Sequence, residues 1–78
     1  MNIPAVYPNP ASDMISIEGN SILSVRIYNL LGQVVAEMTG NGSPNVSIST
    51  SNLKSGLYIV TVEDASGNIS EQKIVINN

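Results

Sequence analysis

The sequence predicts an all-β fold, a small antiparallel β-sandwich of six to seven strands, and three observations carry that prediction. Apolar and polar residues alternate in short runs such as "MISIE", "LSVRIYN" and "NVSIST", the period of a half-buried strand. Turn formers cut these runs apart at a spacing of roughly 8–12 residues, as in small sandwiches. Nowhere do apolar residues fall at i, i+3, i+4 and i+7 for two turns, so helical periodicity is absent. Composition agrees: the chain is 42% hydrophobic, built on Ile, Val and Leu, with three Tyr and neither Phe nor Trp. Branched side chains of this kind fit a pleated surface.

The opening stretch "VYPNPASD", Val6 to Asp13, is not a central strand. Pro8 and Pro10 have no N–H to give a ladder, and each drives its predecessor, Tyr7 or Asn9, to extended geometry. The segment is a stiff lead-in. Asn9, Ser12 and Asp13 can bond nearby backbone and set the turn into the first strand. Tyr7 is expected to lay its ring on the end of the sandwich with its hydroxyl in water. A rigid strand entry explains these letters; so does a boundary with something preceding.

The remaining elements follow in order. "MISIE" puts Ile15 and Ile17 on one face, and "GNS" ends it. "LSVRIYN" sets Leu23, Val25 and Ile27 against Ser24, Arg26 and Tyr28. "NLLGQ" is a hairpin loop with Gly32 in a left-handed position, and "QVVAEMT" returns with Val34, Ala36 and Met38 on one side. "GNGSPN" reads as a flexible loop. "NVSIST" turns Val46 and Ile48 inward. "SNLKSG" is a turn with Leu53 tucked toward the core, and "LYIVTVED" and "ISEQKIVIN" form a last hairpin around "ASGN".

Length and composition bound the function. Seventy-eight residues make one domain, one that buries only about 60% of its unfolded surface. Without cysteine there is no disulfide and no thiolate metal site. The net charge is −3, from six acids against Arg26, Lys54 and Lys73, which cannot neutralise a run of phosphates. No apolar run reaches the roughly 20 residues of a membrane helix, and no signal-peptide pattern opens the chain. Met1 before "NIPAV" reads as a start residue placed on a fragment of something longer, with 1–6 a linker remnant and 7–78 the domain.

Catalytic chemistry finds no footing. His and Cys are both missing, which removes the usual triads, thiol nucleophiles and most zinc sites. Lys54 lies in a turn, where strong desolvation is not expected. Glu63 and Asp64 are adjacent and point to opposite faces of a strand, not across a cleft as glycoside hydrolysis requires. No cofactor is implied. Asp64, Ser66 and Asn68 alternate like the start of a calcium loop but lack its glycine and distal glutamate, and a hairpin turn explains the same letters. "NGS", "NVS" and "NIS" match the glycosylation acceptor pattern, a match common by chance in a Ser/Asn-rich chain.

The last hairpin has two apolar faces. Folded about "ASGN", it puts Tyr58, Val60, Val62, Ile74 and Ile76 on one side and Leu57, Ile59, Thr61, Lys73 and Val75 on the other. Either both faces are covered, or the second is an exposed stripe for docking. Full burial of Ile59 and Val75 would end the docking reading.

Taken in order, "YPNPASD" before a strand, "IYNLLGQVV", "LKSGLYIVTV" and the terminal "KIVI" resemble the C-terminal sorting domain of type IX secretion system cargo proteins of Bacteroidota, over nearly the whole chain from Tyr7 to Ile76. The resemblance implies an immunoglobulin-like β-sandwich and a non-enzymatic signal carried behind an N-terminal cargo domain. It implies transit through the periplasm, export through the outer-membrane translocon with its shuttle proteins, and a final place at the cell surface or outside the cell. In many members a sortase-like peptidase cuts ahead of the domain. The matching residues are Tyr7, Pro8, Asn9 and Pro10; Asn29, Gly32 and Gln33; Leu53, Gly56 and Tyr58; and Lys73, Ile74, Val75 and Ile76. The chain departs from many members in ending Asn77-Asn78 and not on Lys or Arg. Under this resemblance "YPNP" marks the border between a cleavable linker and a folded signal, and the domain is expected to act as a monomer.

Two other functions compete. A carbohydrate-binding or spacer module would need exposed, coplanar Tyr7 and Tyr28. A self-associating domain would use Lys73–Ile76 as an open edge.

Overall fold

The computed structural model describes residues 5–7 and 13–77, so Pro8, Asn9 and Pro10 of the opening motif lie outside the described residues. Among the described residues, alternation of Ile and Val with Ser, Thr and charged residues produces five strands and no helix: β1 (Ala5–Tyr7), β2 (Met14–Tyr28), β3 (Val34–Ser49), β4 (Gly56–Asp64) and β5 (Ile69–Ile76). All pair antiparallel in one sheet of order β1-β2-β4-β5, with β3 also on β2.

Five strands replace the six to seven expected because "GNS" and "GNGSPN" bend strands without ending them. β2 runs through Gly19–Ser21 and β3 through residues 40–45, with register shifts between Glu18 and Ile22 and between Ile22 and Ser24. Ser21 (φ +50°), Asn41 (φ +53°) and Gly42 (φ +81°) take the left-handed conformations that such irregularities require. Gly40 is needed for a different reason. β2 passes so close that a Cβ there would lie 2.3 Å from the Ile22 carbonyl oxygen.

The bend gives the two halves of β2 different neighbours. Its first half pairs β1 and the end of β3; its second half pairs the start of β3 and β4. The sheet curls so that both halves contribute to one core: Ile15 and Ile17 with Val25 and Ile27, joined by Val46, Ile48, Val60, Val62, Ile74 and Ile76. Each register shift also changes which face a residue takes. Ile22 is therefore buried and Leu23 exposed, the reverse of simple alternation. Of the three residues placed together on the return strand, Ala36 packs against the core while Val34 and Met38 stay exposed.

Candidate functional site

The middle hairpin is built by Asn29. Its side-chain oxygen accepts hydrogen bonds from the Leu31 N–H (2.9 Å) and the Gln33 N–H (3.0 Å), and its amide donates to Gln33 Oε1 at 2.8 Å. The Gly32 N–H donates to the Asn29 carbonyl, and Gly32 sits at φ +84°, which completes a type I turn with a glycine bulge. Asn29, Gly32 and Gln33 are thus held by the turn itself. The residues they display, Leu30 and Leu31, are 66% and 84% exposed at the tip.

The β4–β5 turn repeats this design. The Asp64 carboxylate accepts from the Ser66 and Asn68 N–H groups, both at 3.0 Å, and the Gly67 N–H donates to the Asp64 carbonyl at 3.1 Å. Asp64 is the counterpart of Asn29, and its carboxylate closes a hairpin. The turn pairs Ile69 with Glu63 and carries the regular register on to Gly56 and Ile76.

That register gathers motif residues from distant parts of the chain. Tyr28 pairs with Ile59, Ile59 with Lys73, Leu57 with Val75, and Gly56 with Ile76. The middle hairpin, the start of β4 and the end of β5 therefore meet at one end of the sheet. Tyr58 is buried there and its hydroxyl donates to the Lys54 carbonyl at 2.7 Å. Leu53 packs partly against the core. Ile74 and Ile76 are core residues, while Lys73 and Val75 face solvent.

The outward face at this end stays open. Leu57 is 39% exposed, Val75 44%, and Ile59 is half-buried. Of the two readings of the last hairpin, the exposed stripe is the one the structure has. A groove of about 350 Å³ runs beside it, lined by Tyr28, Asn29, Leu30, Ile59, Thr61 and Glu71. Sequence reading missed Leu30, Leu31 and Glu71 as surface features; only the strand register brings Glu71 across from Thr61. Arg26, in the same cross-strand row, is bound by Glu37 at 2.7 Å. That hydrogen bond, and secondarily Tyr28, pushes the Arg26 pKa up.

Tyr7 lies elsewhere. It pairs with Ser16 beside the first half of β2, and its hydroxyl, exposed as expected, also donates to Glu18 Oε1 at 2.6 Å. That hydrogen bond raises the Tyr7 pKa above its usual value. Tyr7 lies on β1 beside the first half of β2, Tyr28 ends its second half and Tyr58 is buried, so the three rings do not form one stacking platform for a sugar. Among the described residues no cluster of His, Cys, Asp and Glu could hold a metal ion, and no helix is long and apolar enough to cross a membrane.

Comparison with known proteins shows the family. The family model described as "Secretion system C-terminal sorting domain" matches residues 5–77. Beta-agarase D of Zobellia galactanivorans is 39% identical over 72 residues, 92% of this chain. Ulvan lyase NLR42 of Nonlabens ulvanivorans is 36% identical over 74 residues, again 92% of this chain. The chain spans only 14% of the length of either enzyme. In fold it is similar to the crystal structure of CopC from Methylosinus trichosporium OB3b, with a TM-score of 0.53 at 16% identity over 96% of this chain and 94% of that one. The chain belongs to the secretion system C-terminal sorting domain family, the non-catalytic signal that directs cargo across the outer membrane by the type IX secretion system.

Proposed function

We propose that the type IX machinery reads this domain at the end of the sheet where the middle hairpin, the start of β4 and β5 meet. The observation that carries this is the exposure of Leu30 and Leu31 on a turn that the Asn29 side chain holds in place with three hydrogen bonds. Exposed leucines at a built hairpin tip do nothing for the core, and apolar surface of this kind marks contact with a partner. The motif residues then divide by task. Asn29, Gly32, Gln33, Leu53, Gly56, Tyr58, Ile74 and Ile76 shape the end; Lys73 and Val75, together with Leu30 and Leu31 from outside the matching residues, are what a translocon or shuttle protein touches. Tyr7, Pro8, Asn9 and Pro10 form the border with a cleavable linker, ahead of which a sortase-like peptidase cuts.

In this reading the fold is an immunoglobulin-like sandwich made by the curl of one sheet, with each bent strand serving both layers. The cargo is an N-terminal domain covalently attached to the chain, and the relatives favour a polysaccharide-degrading enzyme in that place. It crosses the periplasm and ends at the cell surface or in the medium. The test is a reporter carrying residues 2–78, expressed in a type IX-competent bacterium. The reporter should leave the cell with the tail and stay in the periplasm without it; equal export of both would refute the reading. Deleting β5 is a poor test, because it strips Ile74 and Ile76 from the core and unfolds the domain.

A further inference from the structure

The groove beside the exposed stripe has a chemistry of its own. Its walls are Leu30 and Ile59, Tyr28 supplies an aromatic ring, Thr61 a hydroxyl, and Glu71 a carboxylate at the rim. Glu71 has no cation partner among the described residues. Arg26 lies two strands away from Glu71 in the same row, about 9–10 Å at the spacing of strands in a sheet, and is engaged by Glu37 and by the Tyr28 hydroxyl, which leaves the face of the Tyr28 ring. Asn29 also lines the groove, but its side chain is committed to the turn. What remains available to a visitor is an aromatic ring, an apolar wall, a hydroxyl and a negative charge.

We propose that this groove takes a single arginine side chain from an extended segment of a partner. The aliphatic stem lies on Leu30 and Ile59, the guanidinium stacks on Tyr28, and its N–H groups donate to the Glu71 carboxylate and the Thr61 hydroxyl. Charge complementarity favours a cation: Glu71 is the acid at the groove, and the chain as a whole carries −3. Lys73, which pairs with Ile59 on the same face, and Arg26, at the Tyr28 hydroxyl, are the neighbouring cations and set the affinity limit by repulsion. This inference rests on the reading that the same end of the sheet is recognised, and it adds the chemistry of the partner.

The test is a titration of the 78-residue chain with N-acetyl-arginine amide, followed by amide chemical shifts. Saturable shifts at Tyr28, Ile59, Thr61 and Glu71 are expected, and none with the citrulline analogue, which keeps the shape and lacks the charge. Glu71→Gln should weaken binding by about tenfold, a loss of roughly 1.4 kcal/mol, and Lys73→Ala should tighten it. Glu63→Gln, an acid outside the groove, should leave it unchanged. Shifts spread over all the acids, binding indifferent to Glu71→Gln, or the reverse pattern at Glu71 and Lys73 would each overturn the proposal. Reporter export is measured separately, so loss of arginine binding with export retained refutes the groove and leaves the sorting function standing.

Discussion

At the scale of single residues, Asn29, Gly32 and Asp64 act on the backbone around them. Asn29 makes three hydrogen bonds within its own hairpin. Asn29→Ala is expected to cost about 1–2 kcal/mol in denaturant unfolding, the usual loss for one to two net hydrogen bonds. Gly40 carries no motif, yet a side chain there has no room. Its Cβ would strike backbone, which cannot swing aside as a side chain can, so Gly40→Ala should cost about 3 kcal/mol or more by the same measurement. Tyr7 gives a pH signature. Its pKa is raised in the folded chain, chiefly by the hydrogen bond to Glu18, so the folded state holds the phenolic proton more tightly than the unfolded state does. The stabilisation is fully present below the ordinary value of 10.0 and fades as pH rises past it. The difference in melting temperature between the native chain and Tyr7→Phe should therefore shrink on the alkaline side of pH 10 and hold steady below it.

At the scale of elements, much was legible. The β4–β5 hairpin shows its turn, its pairing and both its faces in the letters "LYIVTVEDASGNISEQKIVI", because strict alternation meets a short turn that leaves the ladder beyond it in regular register. Val46 and Ile48 could be read in the same way. The β2–β3 pair could not. Its Gly, Asn, Ser and Pro residues spell loops in sequence, and the structure uses them to bend continuous strands. A bulge changes face by inserting a residue into the ladder, and nothing in the period of the sequence marks where that happens. The exchange of Ile22 for Leu23 in the core follows. Ile22→Ala is expected to cost about 2–5 kcal/mol, whereas Leu23→Ala, at an exposed position, should stay within about 0.5 kcal/mol. Equal losses for the two variants in a denaturant series would show that the second bulge is misplaced. The proposed recognition end was half legible for a related reason: its letters are visible, but their meeting depends on register across three strands.

At the scale of the whole molecule, a cysteine-free chain of 78 residues has little stability in reserve, roughly 4–12 kcal/mol for this length. A variant that disturbs the core will lose export simply by unfolding. The central claim is that a folded end of the sheet is read by its surface, and the decisive variants are therefore exposed ones. Leu30→Ser combined with Leu31→Ser alters the tip of the middle hairpin and touches neither the Asn29 bonds nor the core. The most direct measurement is paired: the melting temperature of this double variant and the exported fraction of a reporter that carries it. The account predicts an unchanged melting temperature and export reduced by about tenfold or more, in proportion to lost apolar contact with the receptor. Normal export from a normally folded variant would contradict it.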